Sequence, residues 1–293
     1  VLDRTPFYAE GGGQVGDAGY VRTAGGLLRV LDTKPGPGGI AVHSAVVQSG
    51  EVRAGDEAHA EVDEVRRSAT ARAHTATHVI HWTLKHLLGD HARQAGSLVQ
   101  PGRLRFDFPH HAAVPADVLA QAEDLANERL AENGVVTIYE TTFDEAKNQG
   151  ATALFGEKYG EFVRVVEIGE FSKELCGGTH VARAGNVALI RILGEGSIGA
   201  GMRRVEALVG PEAPKAGKGG DGQKGRGGGG KGEKGGRGEK GEKVTTACTN
   251  NPVARDMAIY LLDTKLFTSC EAKETGPLSS NSFSMPIISW PLA

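Results

Sequence analysis

The chain has 293 residues, 39% of them hydrophobic, and a formal net charge of -3. That supports one large domain or two ordinary ones and gives no global charge argument for nucleic acid. Three scattered cysteines, Cys176, Cys248 and Cys270, exclude a disulfide framework and fit a reducing, cytoplasmic setting; no stretch nears the roughly 20 apolar residues of a membrane helix. No signal peptide is visible. The chain starts at Val1, within a motif-dense segment and without an initiator Met, and so reads as a fragment or a processed piece.

Residues 1 to 62 read as β-rich. Short apolar runs at Gly19–Val21, Leu27–Leu31 and Ile40–Val47 alternate with Gly and Pro turns such as Lys34-Pro35-Gly36-Pro37-Gly38-Gly39. Before them stands Thr5-Pro6-Phe7-Tyr8-Ala9-Glu10-Gly11-Gly12-Gly13-Gln14. Its glycines suit either a tight turn between strands or a backbone that approaches a ligand closely.

Asp63 to Leu88 reads as one long helix, with Asp63 able to cap its start and Gly89 to end it. His74 and His78 lie four apart and therefore on one face. Two imidazole nitrogens at that spacing can reach one metal ion about 2 Å away, and the same spacing also suits an ordinary polar pair. His81 falls near the same face. Arg66, Arg67 and Arg72 sit in the first half of the helix, where they suit either phosphate contacts or a solvated face.

Gln94–Val99 and Arg103–Phe108 flank a Pro101-Gly102 turn, and the second run alternates polar and apolar residues as a half-buried strand does. Pro115 opens a helix to about Asn133, with Gly134 as its stop. Val135–Glu140 reads as a strand, Phe143–Gln149 as a short helix and Glu161–Ile168 as another strand. Cys176-Gly177-Gly178-Thr179-His180 forms a Gly-rich turn before the strand Val187–Leu193. Gly194–Gly201 reads as a loop and Met202–Val209 as the last strand. The second cluster raises the value of the first: three histidines and one thiolate make a four-ligand zinc set, His74, His78, Cys176 and His180. Strands and helices alternate irregularly, so the class is α+β. A small β-rich N-terminal subdomain (1–62) precedes an α+β zinc-containing domain (63–210).

After Gly210 the composition changes. Residues 215 to 243 carry seven Lys and two Arg against four acids, a local +5 that leaves -8 elsewhere. More than half of 217–241 is Gly, which reads as a disordered Gly/Lys-rich linker (211–243) without a core. Residues 244–293 take no assignment and read as a disordered tail. The segment after 213 suits either unrelated sequence or a basic arm that contacts nucleic-acid phosphates.

Six motifs in order carry a resemblance: Thr5–Gln14, His74–His78, Gln94–Val99, Leu104–Phe108, Cys176–His180 and Gly196–Gly201. Residues 1 to about 213 resemble the editing region of alanyl-tRNA synthetase and its free-standing editing relatives. The resemblance implies an aminoacyl-tRNA deacylase, a hydrolase that uses Zn2+ and acts on tRNA for alanine wrongly charged with serine or glycine. It implies Gln94, Thr75 and Cys176 as catalytic residues. Gly11, Gly12, Gly13, Gln14 and Thr77 follow as substrate-binding residues. In the full synthetase an ATP-dependent ligase domain would precede Val1, and no adenylate-forming motif is visible here. The alternative is an inactive fragment of the ligase, a tRNA-binding zinc module with neither ligase nor deacylase activity by itself. Zinc with four protein ligands suits either catalysis with one ligand loosened or, preferably, a pocket organiser.

Overall fold

A glycine-rich segment and one buried helix decide where everything else packs. A computed structural model describes residues 2–153 and 159–213. The expected linker beyond 213, the tail, Cys248 and Cys270 lie outside the described residues.

Strands β1 (Gly19–Thr23), β2 (Gly26–Pro35), β3 (Ala41–Gly50) and β4 (Ala58–Val62) form an antiparallel sheet in the order β3-β2-β1-β4. The apolar runs announced the first three. They did not announce β4, whose Ala58, Ala60 and Val62 alternate with His59 and Glu61 too weakly to stand out. Phe7, Val21 and Val30 form a small core beneath this sheet.

Helix α1 spans Glu64–Leu88. The Asp63 carboxylate accepts a hydrogen bond from the Arg66 N–H at 2.9 Å, and Gly89 ends the helix at φ +103° while its N–H donates to the Lys85 carbonyl. Both stops match the caps read from sequence. From Thr70 to Leu84 the helix is buried nearly all round. Such a helix must satisfy its hydroxyls internally. Thr70, Thr77 and Thr83 do so on carbonyls one turn back, at Arg66, Ala73 and Val79. Thr75 does not, and its hydroxyl turns to the site described below.

A second sheet, β10-β11-β6-β5, packs on α1. It consists of β5 (Gly96–Gln100), β6 (Arg103–Pro109), β10 (Ile190–Gly199) and β11 (Met202–Val209). The alternation in β6 sends Leu104, Phe106 and Phe108 wholly inside, where they meet Ala73, Ala76, Val79, Ile80 and Leu84 of α1. Each such buried aromatic stabilises the fold by about 1.5–3 kcal/mol. Helix α2 (Ala116–Ala131) closes the same core with Ala122, Ala126 and Leu130. Of the loop expected at 194–201, residues 194–199 are instead the second half of β10, and 200–201 form the turn into β11. Register shifts between Ile192 and Gly194 and between Ser197 and Gly199 let a glycine-rich stretch stay in the ladder.

The third sheet contains β7 (Val136–Thr142), β8 (Phe162–Ile168) and β9 (Ser172–Leu175) in that order, with α3 (Phe143–Asn148) after β7. Its importance is its end: β9 delivers the chain directly into Cys176. The fold is α+β, with antiparallel pairing in all three sheets. No helix among the described residues is long and apolar enough to cross a membrane.

Candidate metal centre

His74, His78, Cys176 and His180 come together. One potential ligand atom from each lies within 4.8 Å of all the others. The helix repeat aligns His74 and His78, whose rings stack 5.4 Å apart at 4°. Cys176 Sγ lies 3.3 Å from His74 Nε2 and 3.4 Å from His180 Nε2. A tetrahedron with zinc–sulfur and zinc–nitrogen bonds of ordinary length has such an edge of about 3.5 Å. His78 Nε2 is buried and has no hydrogen-bond partner among the described residues.

The opposite nitrogen of every ring is held. His74 Nδ1 donates to Gln14 Oε1 at 2.6 Å and His78 Nδ1 to Glu174 Oε2 at 2.8 Å. His180 Nδ1 lies 3.2 Å from the Thr75 hydroxyl, which also accepts from the Val181 N–H. Gln14 Oε1 and the Glu174 carboxylate can only accept, which places an N–H on Nδ1 of His74 and His78, and all three rings turn Nε2 inward, the arrangement that metal-binding histidines adopt. The residues present therefore fit a metal ion.

The charges agree with that fit. Burial opposes a thiolate at Cys176. The charges of His74 and His78 and the contacts of Sγ with the His180 and His74 rings outweigh it, and the thiol titrates well below its ordinary range. Burial likewise opposes a charged His78, but Glu174 and Cys176 raise it to about 10. Burial drives His180 down to about 3, so this ring stays neutral. Burial and the Cys176 charge push the Tyr8 phenol up to about 12.

Two residues of this framework escaped the sequence reading. Glu174 is buried, and its oxygens hold His78, His81 (2.9 Å) and the Ser172 hydroxyl (3.3 Å). The available signal was its position in a strand two residues before Cys176, which puts both side chains on one face. Arg164 donates from Nη1 to the Cys176 and Gly178 carbonyls at 2.7 and 2.8 Å and so fixes the turn. Gly178 is needed there, because an added Cβ would overlap the His74 ring.

The remaining candidate residues divide. Gly12 and Gln94 line a cavity of about 260 Å³ against His74, His78 and Cys176, with Tyr159 and Arg164 on its far wall. Gln94 Nε2 donates to Ser97 Oγ at 3.2 Å. Gln14 is fully buried and acts on His74; its Oε1 also accepts from the Thr179 N–H and hydroxyl. Its strand bridge to Val99, flanked by hydrogen bonds between Val15 N–H and Val99 O and between Val99 N–H and Gly13 O, staples the glycine motif to β5. Gly11 and Gly13 support that bridge and do not line the cavity. Thr75 serves His180, and the Thr77 hydroxyl stays on its own helix, so neither lines the cavity.

Comparisons with known proteins agree with the motifs. Residues 163–206 match the family model described as the threonyl and alanyl tRNA synthetase second additional domain. Residues 1–66 match the model for class II (A) tRNA synthetases. The chain is 54% identical over 213 residues to the alanine–tRNA ligase of Salinispora tropica, covering 73% of this chain and 24% of that protein. It is 55% identical over 214 residues to that of Streptomyces avermitilis, with the same coverage. Identity to the ligase of Acetivibrio thermocellus is 49% over 213 residues, again 73% and 24%. The chain spans about a quarter of the length of these relatives. Over nearly three quarters of its own length it is a segment of the alanyl-tRNA synthetase family.

Proposed function

We propose that residues 1–213 hydrolyse the ester that joins a wrongly attached serine or glycine to the tRNA for alanine, with Zn2+ held by His74, His78, Cys176 and His180. One observation carries the reading. Three inward Nε2 atoms and one sulfur converge beside a cavity, while every outer nitrogen is held. A zinc ion at this position supplies Lewis acidity and a fixed positive charge.

The chain's own residues do the rest. An aminoacyl ester is already activated, so positioning and desolvation are the main requirements. Gln94, anchored on Ser97, presents an amide to the cavity and orients the substrate. With Thr75 and Thr77 committed elsewhere, recognition of the serine hydroxyl falls to Gln94. Its amide is left underbonded by alanine, which disfavours the correct product relative to serine; glycine, also without a hydroxyl, is not selected this way. The Gly12 backbone borders the same cavity and closes over the ribose. Cys176, held as thiolate, is a ligand and not a nucleophile. ATP would be used only by the ligase part of the longer relatives. The tRNA partner and cytoplasmic placement follow from the same reading.

A closed set of four protein ligands favours one further reading, an inactive zinc module that binds tRNA. Seryl-tRNA and alanyl-tRNA turnover by the 293-residue protein separates the two. The deacylase reading expects seryl-tRNA to be consumed and alanyl-tRNA spared, with Cys176→Ala inactive. Equal loss of both esters, or loss of neither, overturns it.

A further inference from the structure

A second cavity, of about 370 Å³, meets the metal centre only at His180 and its neighbour Thr179. Arg67, Ser68 and Arg72 of α1 form one wall and Asn186 stands on the other; no Asp or Glu lines it. Arg67 is occupied: its guanidinium donates to the Asp17 carboxylate and to the Pro6 carbonyl. Arg72 is not. Its Nε is buried without a partner, beside Gly210, and its guanidinium makes no hydrogen bond or ion pair among the described residues. Arg66 shares a buried Nε without a partner among the described residues but does not line this cavity. Half-buried Arg164 donates to backbone carbonyls, and Arg191 and Arg204 to carboxylates.

Holding a guanidinium against protein with no acceptor is unfavourable. Its planar fork matches two oxygens of a phosphate. The Ser68 hydroxyl and the Asn186 side-chain amide donor, both unbonded among the described residues, add donors at the same wall. We propose that this cavity is a phosphate subsite, in which Arg72, Ser68 and Asn186 take one phosphodiester of the RNA strand whose 3′ end reaches the metal centre. The identity of that strand rests on the deacylase reading; the anion site rests on Arg72.

The test is equilibrium binding of an uncharged acceptor-stem RNA hairpin by fluorescence anisotropy, using the full chain and its Arg72→Gln and Arg72→Lys variants. Hairpins carry a single neutral methylphosphonate at each of the last three linkages in turn. Arg72→Gln should weaken binding about tenfold and lower the salt slope by about one. Zinc content and thermal midpoint should stay unchanged, and Arg72→Lys should recover part of the affinity. One linkage should matter in the wild type and be silent in Arg72→Gln. If every linkage weighs the same in both proteins, or Arg72→Gln binds as the wild type does, the proposal fails. Inorganic phosphate titrated by calorimetry is the second arm. If it binds with Arg72 dependence while hairpin binding ignores Arg72, the site takes free phosphate and the RNA assignment is overturned. Because binding is read without turnover, a protein that binds the hairpin this way but spares seryl-tRNA sinks the deacylase reading alone.

Discussion

The two halves of the candidate metal centre are built in opposite ways. His74 and His78 ride on a 25-residue helix, buried, with their spacing fixed by the helical repeat. Cys176 and His180 sit on a half-exposed turn that has no secondary structure of its own. The turn keeps its shape through Arg164, Thr75 and Gln14, which come from β8, α1 and the N-terminal glycine motif. Local geometry positions one half, and contacts across about a hundred residues or more position most of the other. The helix half should therefore tolerate change that the turn half does not.

Gly178→Ala tests that asymmetry most severely. A methyl group at this position meets the His74 ring, so the turn must rebuild. The expected outcome is loss of stoichiometric metal by elemental analysis, with the helical circular dichroism of α1 retained. Full metal content in this variant would erase the distinction between the halves.

Glu174→Gln is next. The carboxylate that holds both His78 and His81 becomes an amide able to accept from one and not both. Loss of such an outer partner typically weakens a metal site by about 10–100-fold, and competition with a chromogenic chelator reads this directly.

Proton release on metal binding sharpens the electrostatic side. His78 is raised to about 10, so at pH 7 the empty cluster carries an exchangeable proton there. Metal must displace it. Affinity should then rise about tenfold per pH unit between 6 and 9, with about one proton released per metal by calorimetry in two buffers. Release of two would place a proton on the thiol as well.

Asp63→Ala should have the smallest effect. Losing the N-cap costs about 1 kcal/mol of stability, visible in urea unfolding, while metal affinity stays the same because His74 lies about three turns away.

What could be read from the residues follows the same divide. The helix α1, its two caps, the β5–β6 hairpin and the alternation of Leu104, Phe106 and Phe108 announce themselves through period and punctuation. The four candidate ligands were legible because two short motifs hold chemically matched side chains. Glu174 was less so, since its partner lies 96 residues away and its one local sign is a place two residues before Cys176; Gln14 stood out in the glycine motif, but its partner 60 residues away did not. Thr75 and Thr77 look alike in sequence. Only the packing of the turn against one side of α1 sends one hydroxyl to His180 and leaves the other on the helix. The second half of strand β10 was hidden for a different reason: glycines that usually mark loops sit at its bulges.

X-ray absorption at the zinc edge, on the protein loaded with one equivalent of zinc, probes the centre most directly. The account predicts one sulfur at about 2.3 Å and three nitrogens at about 2.0 Å, with the sulfur lost in Cys176→Ala. A shell of oxygens, or uptake well below one zinc per chain, would contradict it.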